Sequence, residues 1–324
     1  MKSPRIVFMG TPDFAAHILS ALHAEAHQIA AVVTSPDKPA GRGRKIQGSA
    51  VKQQAEQFGL PVLQPVNLKD PLFLQALQDL RADLFIVVAF RMLPESVWSL
   101  PPMGTINLHA SLLPQYRGAA PIQWAIIRGE TLTGVTTFFI EKDIDTGKIL
   151  GSRQVPILPE DTGGSLHDKL MHEGARLLTE TIHRVYTGDY QAIPQKDLFS
   201  DPDKLEKAPK IFKQDCEICW EKSGREISNL VRGLNPVPTA RTLLQPQDEA
   251  PSFLKVFAVQ TKPFAEDESF PPPGTPESDG KTFLRIAAAD AWVYLSEIQP
   301  EGKKRMDITA FLRGLRSIRW KTPE

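Results

Sequence analysis

The chain has 324 residues, 41% of them hydrophobic, enough for one large domain and one smaller domain with separate cores. Lys plus Arg number 38 and Asp plus Glu number 38, so a polyanionic partner has to be met by local basic patches rather than by global charge. Two cysteines, Cys216 and Cys219, exclude a disulfide framework; together with an N-terminal apolar run that stops at Gly10, too short for a secretory leader, and the lack of any membrane-length apolar stretch, they make the cytoplasm the expected location.

In chain order, Arg5 to Met9 reads as a strand closed by Gly10, and Phe14, Ile18, Leu19 and Leu22 recur at helical spacing after Thr11-Pro12. Ile29 to Val33 is a second strand, followed by a polar loop through Pro39, Gly41, Arg42, Gly43, Arg44 and Lys45 that glycine and proline keep extended and mobile. A helix around Val51 to Phe58 precedes strands at Pro61 to Leu63, Leu84 to Phe90 and Thr105 to Ala110, the second of these apolar on both faces as in a central parallel strand. Val135 to Ile140 and Ile149 to Ile157 flank Asp143-Ile144-Asp145-Thr146-Gly147, which suits a tight connection between paired strands. An amphipathic helix from about Ser165 to Tyr186 follows. Strands alternating with helices predict a Rossmann-like open α/β sheet, mainly parallel, over residues 1–190.

Residues 191–208 are polar and read as a linker; residues 209–324 carry short β-type runs at Phe253 to Val259, Thr282 to Ala287 and Trp292 to Ile298, with helices near Ile227 to Leu234 and Ile308 to Leu315. That pattern predicts a small β-barrel or sandwich. Pro263 to Gly280, which contains Pro271-Pro272-Pro273, reads as a surface excursion.

Asn107 and His109 lie two apart in a predicted strand, so both side chains share a face at its carboxyl end, where open α/β sheets bind ligands. An amide and an imidazole aimed at one point can stabilise the oxyanion of an acyl-transfer intermediate. Asp145 is the carboxylate best placed by topology to orient the imidazole, with Asp143 the alternative. Taken singly, Asn107 is as well explained as a turn former and His109 as a satisfied core residue. Gly10-Thr11-Pro12-Asp13-Phe14 lacks the glycine pattern of a dinucleotide fold, and Gly274 to Thr282 has one residue too many for a phosphate loop. Cys216-Glu217-Ile218-Cys219 has redox spacing but no second pair of ligands, and reads as buried thiols on a strand; His167 and His172 do not form a zinc-protease pair, so no metal is expected.

The block Gly104-Thr-Ile-Asn107-Leu-His109-Ala-Ser111-Leu-Leu-Pro114-Gln-Tyr-Arg117-Gly118-Ala-Ala-Pro121, with Asp145-Thr146-Gly147 beyond it, resembles the formyltetrahydrofolate-dependent formyltransferases. The resemblance implies that Asn107, His109 and Asp145 are catalytic and that Ser111, Leu112, Leu113 and Pro114 touch the folate. Arg5 to Phe14, the loop Pro36 to Lys45, and Arg117 to Pro121 are similar to the members that act on methionyl initiator tRNA, which implies 10-formyltetrahydrofolate as donor and no metal. Arg42, Arg44 and Lys45 would then contact tRNA phosphates, with Arg42 foremost, although the same residues suit an ordinary solvated loop. Lys207, Lys210, Lys213, Lys303, Lys304 and Arg305 could extend that positive track. Leu234-Asn235-Pro236 and Gln299 to Lys304 are similar to that family's second, OB-like domain, which contacts tRNA. The resemblance departs at Arg91, where many relatives carry a smaller residue. A monomer is expected. The rivals are a formyltransferase acting on a sugar-nucleotide or purine amine, and a silent tRNA-binding module.

Overall fold

The computed structural model describes residues 3–40, 45–246, 251–265, 270–314 and 320–321. The chain divides into two compact units, one of residues 1–121, 132–156 and 167–208, the other of residues 122–131, 157–166 and 209–324. The chain opens with β1 (Ile6–Gly10), α1 (Asp13–Ala24), β2 (Ile29–Val33), β3 (Lys38–Ala40), β4 (Lys45–Gln47), α2 (Ala50–Gln57), β5 (Val62–Leu63) and α3 (Pro71–Asp79). It continues with β6 (Leu84–Val88), α4 (Glu95–Trp98), β7 (Thr105–His109), β8 (Arg117–Gly118), α5 (Pro121–Ile127), β9 (Leu132–Phe139), β10 (Ile149–Pro156), α6 (Gly163–Thr187) and β11 (Lys207–Ala208).

In the first unit the strands order as β10-β9-β7-β6-β1-β2-β5. The five from β7 to β5 are parallel, and β9 and β10 add an antiparallel edge. This is the open, mainly parallel sheet expected from the alternation of strands and helices. β1, β2 and β6 are buried at every position because helices cover both faces of a parallel sheet. One face meets a core of Val7, Met9, Val33, Phe73, Leu77, Phe85, Val87 and Val97. Each such side chain removed from water contributes roughly 1.5–3 kcal/mol before entropy is set against it.

Local signals fix the helix starts. Ser49 accepts the Lys52 amide at 3.0 Å to begin α2, and Asp70 accepts the Leu72 amide at 2.8 Å just before Pro71 in α3. The α3 helix, not expected from the sequence, buries Phe73 and Leu77 and leaves Leu72 exposed. The strand expected to run to Phe90 ends at Val88, where Ala89 takes a left-handed φ of +46°.

The loop expected between Pro36 and Lys45 is in part a hairpin, since β3 and β4 pair antiparallel with Lys38 opposite Gln47. Arg42 and Arg44 lie outside the described residues; for Lys45 only the backbone pairing with Ala40 is described. Residues 191–208, read from sequence as a linker, fall within the first unit and hydrogen-bond to it through Ile193, Gln195, Glu206 and Ala208. Their polar composition hid this because most of the bonds run through backbone.

The second unit holds α7 (Gly224–Leu234), β12 (Ala240–Pro246), β13 (Ser252–Pro263), β14 (Pro276–Ser278), β15 (Leu284–Ala287), β16 (Ala291–Pro300), β17 (Met306–Asp307), α8 (Ile308–Arg313) and β18 (Trp320–Lys321). Its curled antiparallel sheet orders as β14-β15-β16-β13-β12-β18, with β17 on β16, the barrel-type arrangement expected of an OB-like domain. Ser223 and Glu226 form a reciprocal capping box that starts α7, whose Ile227, Val231 and Leu234 enter the core with Val256, Ile286, Val293 and Ile298.

The Pro-rich excursion is not wholly irregular: Pro276–Ser278 pairs with β15. The Cys216 to Cys219 segment is not a strand. Residues 214–216 form a 3₁₀ turn, Glu217 makes an isolated bridge to Arg241, and Cys219 is exposed while Cys216 is buried. Among the described residues no helix is long and apolar enough to cross a membrane, and no group of three His, Cys, Asp or Glu residues is placed to hold a metal.

Candidate active site

The site is built on the carboxyl end of β7. Alternation puts Thr105, Asn107 and His109 on one face, with Ile106 and Leu108 on the other, wholly buried or nearly so. β7 is held in register by β6, with Asn107 opposite Val87, and by β9, with Asn107 opposite Phe138 and His109 opposite Thr136. Among the described residues the Asn107 amide has no hydrogen-bond partner, and the residue is half-buried. An amide in that state is available to a bound substrate.

His109 is 7% exposed. Its Nε2 lies 2.9 Å from the Tyr116 carbonyl, and a carbonyl can only accept, so Nε2 carries the hydrogen. Its Nδ1 faces Asp145 Oδ2 at 3.8 Å, a charge contact too long for a hydrogen bond. Nε2 is thereby committed to Tyr116, while Nδ1 makes no hydrogen bond among the described residues and lies beside the carboxylate.

Two segments position these acceptors. After β7 the chain folds back on Thr136 of β9, whose hydroxyl donates to the Ser111 carbonyl at 2.7 Å and accepts from the Leu113 amide at 3.1 Å. Ser111 is wholly buried and its hydroxyl donates to the Gln115 carbonyl at 2.7 Å. Leu113 and Pro114 are buried, and Leu112 is half-buried. Tyr116 then turns with a left-handed φ of +59°, which aims its carbonyl at His109.

Asp145 sits between β9 and β10, also left-handed at φ +54°, and its Oδ2 accepts the Gly118 amide at 3.0 Å. The structure thus brings Asn107, His109 and Asp145 to one sheet edge. Asp143, the alternative carboxylate, is exposed, and the contact it makes is its own carbonyl accepting from the Thr146 hydroxyl at 3.0 Å.

Sequence reasoning missed Gln195. It is 3% exposed, donates through Nε2 to the carbonyls of Asp145 at 2.8 Å and Gly147 at 2.9 Å, and accepts from Arg117 Nη2 at 2.6 Å and Nε at 3.1 Å. Burial pushes the Arg117 guanidinium below its ordinary range, opposed by the nearby charge of Asp145. The one available signal was Ile193-Pro194, an apolar pair inside a polar stretch.

Loops after β5 and β6, at the same carboxyl edge, line a cavity of about 730 Å³. Leu68 and Leu93 supply a buried apolar floor, with Asn67, Lys69, Arg91 and Glu95 as polar lining. Arg91 donates to the Val66 carbonyl at 2.9 Å and to the Pro65 carbonyl, and lies over the Phe90 ring at 5.6 Å, so it ties the two loops together. Partial burial lowers its pKa from the ordinary value. A cavity of this volume with mixed lining is within the range that takes a small organic ligand.

The formyl transferase family matches residues 4–182, and the family of formyl transferase C-terminal domains matches residues 210–316. The chain belongs to the formyl transferase family. It is 51% identical over 315 residues to a methionyl-tRNA formyltransferase of Parabacteroides distasonis, covering 97% of this chain and 96% of that one. To the protein of the same name from Bacteroides fragilis it is 49% identical over 311 residues, covering 96% and 94%. In fold it is similar to an N-formyltransferase from Helicobacter canadensis, at TM-score 0.64 and 19% identity, covering 92% of this chain and 99% of that one. It is also similar to HypX from Aquifex aeolicus in complex with tetrahydrofolic acid, at TM-score 0.62 and 18% identity, covering all of this chain but 51% of that longer one.

Proposed function

We propose that this enzyme transfers the formyl group of 10-formyltetrahydrofolate to the α-amino group of methionine esterified to initiator tRNA. The observation that carries the chemistry is an imidazole held between the Tyr116 carbonyl and the Asp145 carboxylate beside an unengaged Asn107 amide. Similarity along nearly the whole chain to proteins named methionyl-tRNA formyltransferase supports the choice of acceptor.

The free amine forms a bond to the formyl carbon, the carbonyl electrons move onto oxygen, and the bond from that carbon to N10 of the folate then breaks. Asn107 Nδ2 and the imidazolium Nδ1–H of His109 donate to the developing oxyanion, since Nε2 is already committed to Tyr116. Asp145 stabilises the imidazolium and takes the proton that the attacking nitrogen sheds, directly or through a water, and that proton is passed to the departing N10. The cavity of residues 66–69 and 91–96 fits the pterin, and Ser111, Leu112, Leu113 and Pro114 form the folate-facing wall through shape and backbone, the Ser111 hydroxyl being bonded within the loop. Arg42, Arg44 and Lys45 meet tRNA phosphates. The enzyme acts in the cytoplasm as a monomer without a metal.

The test is transfer of labelled formyl from 10-formyltetrahydrofolate to methionyl initiator tRNA, methionyl elongator tRNA and free methionine. Transfer to the initiator alone is expected. Folded enzyme that binds folate yet formylates no tRNA would reject the acceptor and redirect the search to small-molecule amines. For Arg42→Ala, tRNA affinity should fall and its log–log salt slope shrink by about 1; an unchanged slope would remove Arg42 from the interface.

A further inference from the structure

We infer that Gln195 is a positioning residue of the active site, holding Asp145 at His109 and withholding Arg117 from it. This rests on the catalytic reading of Asp145 given above. Gln195 falls between the two matched family regions, residues 4–182 and 210–316, and in sequence it reads as linker.

Gln195 is a buried polar side chain, and all of its hydrogen-bonding capacity is used at one place. Both amide hydrogens go to carbonyls of the Asp145-Thr146-Gly147 turn, the segment that takes a left-handed backbone at Asp145. A non-glycine residue in that conformation persists only where its surroundings fix it. Gly147 cannot share the work by side-chain packing, because a Cβ there would lie 1.7 Å from the Phe139 carbonyl oxygen.

The amide oxygen of Gln195 takes two N–H groups of Arg117. The charge of Asp145 acts on Arg117, which carries a desolvation cost that an ion pair with that carboxylate would relieve. A neutral acceptor satisfies the guanidinium instead, leaving Asp145 Oδ2 to the Gly118 amide and His109.

The rest of the segment supports the same arrangement. Ile193 exchanges both backbone bonds with Ile149 at 2.8 Å, and the Glu206 carbonyl accepts the Tyr116 amide at 2.7 Å. Lys207 and Ala208 pair with Arg117 and Gly118. Residues 193–208 thus brace the carbonyl of Tyr116 and the carboxylate of Asp145, the two acceptors around His109.

The test is a double-mutant cycle of Gln195→Leu with Asp145→Asn, read as kcat and KM for both substrates. Displacing a catalytic group by about 1 Å costs on the order of 10²-fold, so Gln195→Leu should lose roughly that in kcat with both KM values within about threefold. In the Asp145→Asn background the same change should cost less than about threefold, because the group it positions is already gone. Equal losses in both backgrounds, a change confined to KM, or near-normal kcat in Gln195→Leu would overturn the proposal. Gln195→Glu, which keeps an acceptor for Arg117 but loses both donors, repeats the cycle if the leucine variant does not fold. Failure of both to fold would make Gln195 a folding residue and also overturn it. Normal turnover in Asp145→Asn alone would instead reject the catalytic reading of that carboxylate.

Discussion

Asp145→Asn isolates the charge of the carboxylate from its shape. The amide oxygen of asparagine can still accept the Gly118 amide now held at 3.0 Å, and the backbone carbonyl remains bonded to Gln195, so the turn should keep its conformation. What disappears is the negative charge of the carboxylate, 3.8 Å from His109 Nδ1, and its capacity to take the proton of the attacking amine. A positioned group that moves a proton in the transition state contributes typically about 10²–10⁴ in rate, so a loss of about 10³ is expected. Single-turnover formyl transfer with labelled donor, at saturating tRNA, should fall by about that factor, with the thermal midpoint changed by no more than a few degrees. A rate within about threefold of the parent enzyme would refute the reasoning, because no other described carboxylate comes within ion-pair distance of His109.

Asn107→Ala removes one oxyanion donor and should lower kcat by about 10²–10³ with folate binding retained, measured by steady-state kinetics and fluorescence titration. Gly118→Ala places a Cβ 2.3 Å from the Ala208 carbonyl oxygen at a φ of +129°, so the β8–β11 pair must open. A cost of roughly 1–3 kcal/mol is expected in urea unfolding, together with loss of activity. His27 is held below the ordinary imidazole value of 6.5 mainly by burial, with Glu25 opposing, so the unfolded chain binds the proton more readily. The neutral ring's contribution to stability is therefore present above pH 6.5 and lost as the pH falls through the depressed folded value; His27→Gln should flatten the acid side of a plot of thermal midpoint against pH. Native protein treated with a thiol reagent at pH 8 should label Cys219 alone, slowly, because hydrogen bonding to Glu221 and some burial raise that thiol. Denaturant should expose Cys216, whose pKa burial raises; mass spectrometry of tryptic peptides reads both.

Residue pattern alone determined much of this protein. Runs of consecutive apolar residues fixed β1, β2 and β6, because a parallel strand covered on both faces has no polar positions to interrupt it. The two-residue spacing of Asn107 and His109 determined that they share a face, since strand periodicity is local, and the Asp-Gly turn between two β-type runs brought Asp145 to the neighbouring hairpin. Only the tertiary structure could decide what those side chains meet. The carbonyl on His109 Nε2 comes from a residue seven positions later that turns left-handed, and the clamp on Asp145 comes from a glutamine fifty positions away in a stretch whose composition resembles a linker. Cys219 likewise reads as a buried thiol on a strand but lies exposed beyond a 3₁₀ turn. Periodicity records which face of an element is covered; it carries no record of backbone carbonyls or of long-range partners, and these set the state of the imidazole at the centre of the site.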